Sequence, residues 1–220
     1  MSFLRKWGVL GLWLFIFTLL CYMTLWQTLS KKDSRTLLSF PEHAAASEPA
    51  GELVSGFKLE QSIDDGLVSD AISSSPYDGG VCADVLLANY YDRVNTGVFS
   101  LTLRINNVDK VVLSSAGLVA NNAYHRFCFD GLKKSDLLHK KLVIVLQGVD
   151  SPPGQAVTAW LDGSSAGAFQ HGNALGKSLI FSILVMEPNR YWGSEILLIV
   201  LCGLSGVFIF LPLNGKESHR

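Results

Sequence analysis

The sequence predicts an all-β sandwich flanked by two single transmembrane helices. One uncharged apolar run lies near each end of the chain, at Trp7–Trp26 and at Ile196–Leu213. Between these runs, short segments in which apolar and polar residues alternate are separated by turns rich in Gly, Asn, Asp and Pro. Closely spaced segments of this kind are typical of a sandwich of two β-sheets.

The composition argues against two classes of protein. The chain has 220 residues, a net charge of -1 and 17% charged residues. It therefore lacks the basic excess of a nucleic-acid-binding protein and the polarity of a disordered one, and we predict no nucleic-acid partner. The 49% hydrophobic content comes largely from the two terminal runs, and the segment between them is the size of one domain.

The first apolar run predicts an uncleaved membrane anchor. A stretch of about twenty residues without a charge is long enough to cross a bilayer, and the Trp residues at its two ends suit the headgroup region. A cleaved signal peptide is the alternative, because Arg5 and Lys6 precede the run. However, the run is long for a signal peptide and no small-x-small cleavage site follows it closely. We expect a cytoplasmic segment at 1–6 and a transmembrane helix at 7–26.

The second apolar run predicts another membrane-spanning helix, at 194–213. Tyr191 and Trp192 stand at its entry, and a short tail follows at 214–220. The basic residues around the two runs are nearly balanced, with a weak bias that places both termini in the cytoplasm. The middle of the chain is then expected outside the cytoplasm.

The middle of the chain divides into a polar linker at 27–52 and a sandwich domain at 53–187. The linker is rich in small and polar residues, and a helical stretch next to the membrane is one option for it. A polar loop is expected over Asp64–Gly80, and a helical turn is expected only near Lys133–His139. The predicted strands are Phe57–Glu60, Val81–Ala88, Phe99–Ile105, Lys110–Ser115, Tyr124–Phe129, Lys140–Gln147, Ala156–Leu161 and Leu179–Met186.

Two of these strands form the centre of the prediction. In Phe99–Ile105 the apolar residues alternate strictly with polar ones, as in a strand with one face in a core and the other in water. The segment Val81–Ala88 is apolar on both parities and predicts a strand that is covered on both sides.

The cysteines suggest a disulfide bond. Cys82 and Cys128 are the only cysteines of the middle domain, and each lies on the outward parity of a predicted strand. An oxidising compartment would allow them to pair if the strands are neighbours. Two separate thiols are the alternative.

No catalytic constellation emerges. The pentapeptide Gly163–Gly167 matches G-x-S-x-G, but a nucleophile elbow also needs a following helix and then an acid and a histidine. The continuation AFQHGNALG is typical of a loop, and the only later acids, Glu187, Glu195 and Glu217, lie around the second apolar run. The histidines and cysteines lack metal-ligand spacing. A calcium ion held by Asp78, Asp92 or Asp162 stays an alternative. We predict no enzymatic activity, no metal and no cofactor.

Two places could bind a ligand. The turn between the central strands combines aromatic and hydrogen-bonding groups from Tyr90 to Asn95, and Trp160 lies on the outward parity of its strand. Such a tryptophan either packs beneath a loop or offers a flat surface to a sugar ring. The turn residues could equally close the end of the core.

Three segments together carry a family resemblance. LANYYDRVNTGVFSLTLR, NNAYHRFCFDGL and HKKLVIVLQGVDSPPGQAVTAW, within residues 87–160, resemble the jelly-roll, carbohydrate-binding-like domains of bacterial cell-envelope membrane proteins, including some attached to membrane glycosyltransferases. The resemblance implies a jelly-roll fold and a role near glycans. It transfers no catalytic residue, and the chain lacks the multi-helix transferase portion, so any catalysis would belong to a partner.

The resemblance leads to an expected function. The chain would be a non-enzymatic, two-span protein of the bacterial inner membrane whose periplasmic domain holds glycan or a partner during polysaccharide or lipid-linked glycan assembly. Its partners would be the lipid bilayer, a glycan, and a membrane glycosyltransferase or polysaccharide polymerase. A structural subunit of a membrane complex without glycan binding is the alternative. The expected glycan-binding residues are Tyr90, Tyr91, Asp92, Arg93, Asn95 and Trp160.

Overall fold

The computed structural model describes residues 2–30, 32–42, 45–74, 76, 78–91 and 93–188, and single positions between 193 and 203. The chain divides into two compact units. One unit contains residues 1–33 together with 188–220, and the other is Ser34–Glu187.

The first unit contains a long helix, α1 (Ser2–Ser30). The hydroxyl groups of Thr18 and Thr24 donate hydrogen bonds to carbonyl groups one turn earlier in the helix. A Cβ atom built at Gly203 would lie 3.2 Å from the ring of Phe17, so this glycine permits close packing against α1. The expected helix over 7–26 is present.

Within the described residues, no helix combines the length and apolar character that crossing a membrane requires. The second expected span and its tail, 194–220, lie largely outside the described residues. The positions described there, 197, 199–201 and 203, are helical.

The second unit contains the sandwich. Its described residues form one short helix, α2 (Asp65–Ser73), two 3-10 turns and a series of strands. In chain order the strands are β1 (Lys32–Phe40), β2 (Ala46–Glu52), β3 (Lys58–Ile63), β4 (Gly80–Ala88), β5 (Val98–Ile105), β6 (Val108–Ser115), β7 (Ala123–Lys133), β8 (Leu142–Asp150), β9 (Thr158–Asp162), β10 (Ala168–Gln170), β11 (Asn173–Ala174), β12 (Ser178–Leu179) and β13 (Phe181–Pro188).

The strands form two antiparallel sheets, which confirms the all-β sandwich. The first sheet has the order β1-β13-β4-β9-β12, with β2 beside β9 and β7 beside β4. The second sheet has the order β11-β10-β3-β8-β5-β6. Each of the eight strands expected from the sequence overlaps a strand of the structure.

The core lies between the two sheets. Its largest fully buried side chains include Phe99 of β5, Phe127 of β7 and Phe181 of β13. The alternating apolar residues of β5 point into this core, as the sequence predicts. On the outward parity of β4, Cys82 and Ala88 are buried but Asp84 and Leu86 are partly exposed, so the expected covering of both sides is met only in part.

The prediction of a linker at 27–52 is wrong. Residues up to Ser30 continue α1, and Lys32–Phe40 and Ala46–Glu52 form β1 and β2 of the first sheet. Leu37, Leu38 and Phe40 of β1 pack against the core, so the domain begins before the expected residue 53. The polar composition concealed these strands because only one face of each edge strand meets the core.

The polar loop expected over Asp64–Gly80 contains helix α2. The carboxylate of Asp64 caps the helix by accepting hydrogen bonds from the backbone N–H groups of Gly66 and Leu67. Val68 and Ile72, one turn apart, bury one side of the helix. Two apolar contacts are too weak a periodic signal to identify a helix this short from the sequence.

The expected disulfide bond is confirmed. Cys82 on β4 and Cys128 on β7 are directly opposite in the antiparallel register and form a disulfide bond. The bond therefore ties β7, an edge strand of the first sheet, to a central strand.

Candidate functional site

The candidate site lies at one end of the sandwich. The chain enters and leaves the domain at the opposite end, where Arg35 of β1 lies 4.0 Å from Glu187 of β13. Val185, near the end of β13, pairs with Val81 at the start of β4. The end of β4, at Ala88, and the turn that follows it therefore lie far from the entry and exit of the chain.

Three cross-strand pairs face outward on β4 and β7. Each belongs to the parity opposite the core residues, and they follow one another along the two strands. First comes the disulfide, then a two-pronged ion pair, then an aliphatic-aromatic pair. They are Cys82–Cys128, Asp84–Arg126 and Leu86–Tyr124.

Trp160 completes this surface from β9. Val157, Ala159 and Leu161 belong to the core, so Trp160 faces outward, and it is half-buried. Its ring Nε1–H donates a hydrogen bond of 2.9 Å to Oδ1 of Asn122, which immediately precedes β7.

The indole must reach across the end of β4, because β4 pairs with β9 on one side and with β7 on the other. Ala88 and Thr158 face outward beneath this path, yet they are only 5% and 1% exposed. The side chain is thus held along the sheet by its hydrogen bond, which fixes the orientation of the ring.

The turn after β4 has an unusual backbone. Tyr90 and Tyr91 are consecutive residues with φ of 56° and 65°, a conformation that costs energy for residues other than glycine. The side chain of Tyr91 is 94% exposed. Such strain persists only where surrounding contacts enforce it, and it is concentrated at functional sites.

Arg93 supplies these contacts. Its guanidinium donates to Oε1 of Glu52 at 2.8 Å, to the carbonyl of Ala156 at 2.8 Å and to Oδ1 of Asn95 at 2.9 Å. The same group stands 4.7 Å from the centre of the Tyr90 ring, in cation-π geometry. One arginine thus fastens the turn to β2 and to the segment before β9.

Glu52 is held in its charged form. Its second oxygen accepts a hydrogen bond of 2.8 Å from the backbone N–H of Gly154. That hydrogen bond, with a smaller contribution from Arg93, lowers the pKa of Glu52 below its ordinary value, although partial burial opposes the shift.

The two binding places expected from the sequence are parts of one surface. Glu52 pairs with Thr158 across β2 and β9, so both side chains lie on the same face, and Trp160 is the next outward residue along β9. We call this surface the aromatic face and define it as Tyr90, Tyr91, Arg93, Glu52, Asn121, Asn122, Tyr124 and Trp160. Asn95 is buried beneath the turn, and Asp92 lies outside the described residues.

Sequence reasoning missed two asparagines of this face. Asn122 accepts the Trp160 hydrogen bond, and the neighbouring Asn121 accepts a hydrogen bond of 3.2 Å from the backbone N–H of Asn89. Consecutive asparagines before a strand read as an ordinary turn. Only the pairing of β7 with β4 brings them to Trp160.

The other sequence motifs have structural roles. Ser165, the central serine of G-x-S-x-G, lies 2.6 Å from the hydroxyl of Ser178, and its loop continues into β10 rather than a helix. Asp162 accepts hydrogen bonds from the backbone N–H groups of Ala45 and Ser164. Over the part of the chain that the structure describes, no group of His, Cys, Asp and Glu could hold a metal ion.

Comparison with known proteins adds no relative: no family model matches the chain, and no curated protein matches it.

Proposed function

We propose that the chain is a membrane-anchored, non-enzymatic protein whose sandwich binds glycan through the aromatic face. It would act as an accessory in cell-envelope polysaccharide or lipid-linked glycan assembly beside a membrane glycosyltransferase or polymerase. The observation that carries the proposal is the indole of Trp160, which its hydrogen bond to Asn122 holds along the surface of the sheet.

Carbohydrate suits this geometry for a physical reason. The C–H faces of sugar rings stack on aromatic rings, and their hydroxyl groups need a few fixed polar partners. Trp160 is already held in place, so little side-chain entropy is lost on binding. Tyr124, 54% exposed on β7 two residues after Asn122, extends the aromatic surface beyond β4.

The membrane and compartment parts of the proposal have separate support. The run Trp7–Trp26 is uncharged, and most of the described side chains of α1, those of residues 11–26, are exposed although they are largely apolar, which suits a helix that lies in lipid. The Cys82–Cys128 disulfide fits an oxidising compartment such as the periplasm. The two antiparallel sheets are compatible with the jelly roll that the sequence resemblance implies.

Binding of the full chain to a glycan array tests the proposal. The protein is held in lipid nanodiscs, and Trp160→Ala is compared with Phe169→Ala. Phe169 is a matched control because it is an exposed aromatic on β10 of the second sheet. We expect Trp160→Ala to abolish retention and Phe169→Ala to retain it, with thermal midpoints close to that of the wild type. Equal retention by both variants would contradict the assignment of the site.

Replacement of Tyr91 separates the turn from the sheet. Because its side chain is almost fully exposed, Tyr91→Ala should leave the thermal midpoint unchanged. Weaker glycan retention by this variant would include the turn in the site. Unchanged retention would restrict the site to Trp160 and its neighbours.

A protein-binding role is the second candidate. Val94 and Leu118, on loops at the same end of the sandwich as Tyr91, are 84% and 74% exposed. Exposed apolar side chains beside Tyr and Arg are typical of protein interfaces. Cross-linking in membranes from a photoreactive residue at position 118 would identify such a partner, and retention by a membrane protein without any glycan binding would favour this function.

Topology is tested by protease accessibility. Protease added to intact spheroplasts should digest the Ser34–Glu187 unit if that unit is periplasmic. Complete protection would contradict the proposed location.

A further inference from the structure

Both arginines near the aromatic face are already neutralised. Arg93 is bound to Glu52, and Arg126 donates two hydrogen bonds of 2.8 Å to the two oxygens of Asp84. A negatively charged ligand group would have to displace a carboxylate from one of them. This arrangement disfavours uronate, sialate or phosphate and suits a ligand without charge.

Two side-chain amides on the same face have free donor capacity. The orientation of each amide is fixed chemically, because the indole N–H and a backbone N–H can only donate, so the oxygens of Asn122 and Asn121 must face them. Their NH₂ groups then point away. Among the described residues these NH₂ groups have no hydrogen-bond partner, and Asn122 is exposed.

We propose that Asn121 and Asn122 determine specificity, by donating hydrogen bonds to hydroxyl or ring oxygens of an uncharged glycan that stacks on Trp160. This inference rests on the proposed glycan-binding function and names its ligand class. The same amide that locks the indole thereby places a donor beside the stacked sugar.

The Asn122→Asp variant tests the proposal. The substitution keeps an oxygen that can accept the Trp160 hydrogen bond, but it removes the NH₂ donor and adds a negative charge. The matched control is Asn106→Asp. Asn106 also has a positive φ, 55° against 53° for Asn122, and its Oδ1 accepts a backbone hydrogen bond from Lys141, but it lies in the β5–β6 turn of the second sheet.

The measurement is the apparent Kd of the full chain in nanodiscs for neutral and acidic glycan panels, at low and high NaCl. We expect the wild type to retain neutral glycans with little dependence on salt. Asn122→Asp should weaken that binding roughly tenfold or more, as expected when a hydrogen bond in the site is lost. Asn106→Asp should leave it unchanged.

The possible failures are distinguishable. Salt-sensitive binding of acidic glycans, or neutral binding that Asn122→Asp leaves intact, would overturn this inference and leave the proposed function standing. No glycan binding by the wild type would overturn both. A change in the near-ultraviolet circular dichroism of Asn122→Asp would show that the indole had moved. The Asn121→Asp variant, which leaves the Trp160 hydrogen bond untouched, would then replace it: weaker binding of neutral glycans would support the inference, and unchanged binding would overturn it.

Discussion

Removal of the Cys82–Cys128 disulfide should destabilise the sandwich strongly. The bond joins β4 to β7, and among the strands that the structure describes β7 is hydrogen-bonded only to β4. The perturbation is either reduction of the wild type or the double variant Cys82→Ala with Cys128→Ala.

The size of the effect follows from the length of chain that the bond closes. The two cysteines are 46 residues apart in sequence. In the chain-entropy model, a loop of that length in the unfolded state corresponds to roughly 4 kcal/mol of stabilisation. For a domain of this size the thermal midpoint should fall by about 8–16 °C.

Thermal unfolding of the full chain in detergent, followed by the β-sheet signal in circular dichroism, measures the effect. The control is Cys21→Ala, which removes a free thiol in α1 and should leave the midpoint of the sandwich unchanged. Because Cys82 is buried, the double variant loses some packing as well, so reduction of the wild type gives the cleaner value.

A midpoint that is insensitive to reduction would contradict this prediction. If thiol labelling shows complete reduction and the midpoint stays within about 1 °C of the oxidised protein, the bond does not restrict the unfolded chain as the model assumes. Residual structure between β4 and β7 in the unfolded state would then be the physical explanation.

Three further results are expected. Gly148→Ala should lower the free energy of unfolding by more than about 2 kcal/mol, because the added Cβ would collide with backbone carbonyls of the β2–β3 connection. Gly80→Ala is the control, since there is room for a methyl group at Gly80, and urea titration measures both variants. Burial lowers the pKa of His125 below its ordinary 6.5, so protonation favours the unfolded chain, and stability should decline as the pH falls below about 6.5 in the wild type but not in His125→Phe. Because the pKa of Glu52 is lowered, its carboxylate stabilises the folded chain above pH 4.5, its ordinary pKa, and this stabilisation is lost as the pH falls through the pKa of the folded state. Glu52→Gln should remove this acid-dependent loss. Unfolding midpoints that depend on pH in the same way in Glu52→Gln and in the wild type would contradict the assignment.

The pattern of residues along the chain was enough to predict the class of fold. Alternation of apolar and polar residues depends only on the two-residue repeat of a strand, so it revealed strands such as β5 without knowledge of their partners. The same parity placed Trp160 and both domain cysteines on outward faces. This information is local, because the face on which a residue lies follows from its position within its own strand.

Which outward faces are neighbours could not be predicted without the pairing of the strands. The hydrogen bond between Trp160 and Asn122 joins residues 38 positions apart, and the ion pair between Arg93 and Glu52 spans 41 positions. Strands β1 and β2 were invisible in the sequence because their polar composition becomes strand-like only where β13 and β9 supply hydrogen-bonding partners. Pairing between distant segments depends on the packing of the whole core, and the aromatic face exists only as a product of that pairing.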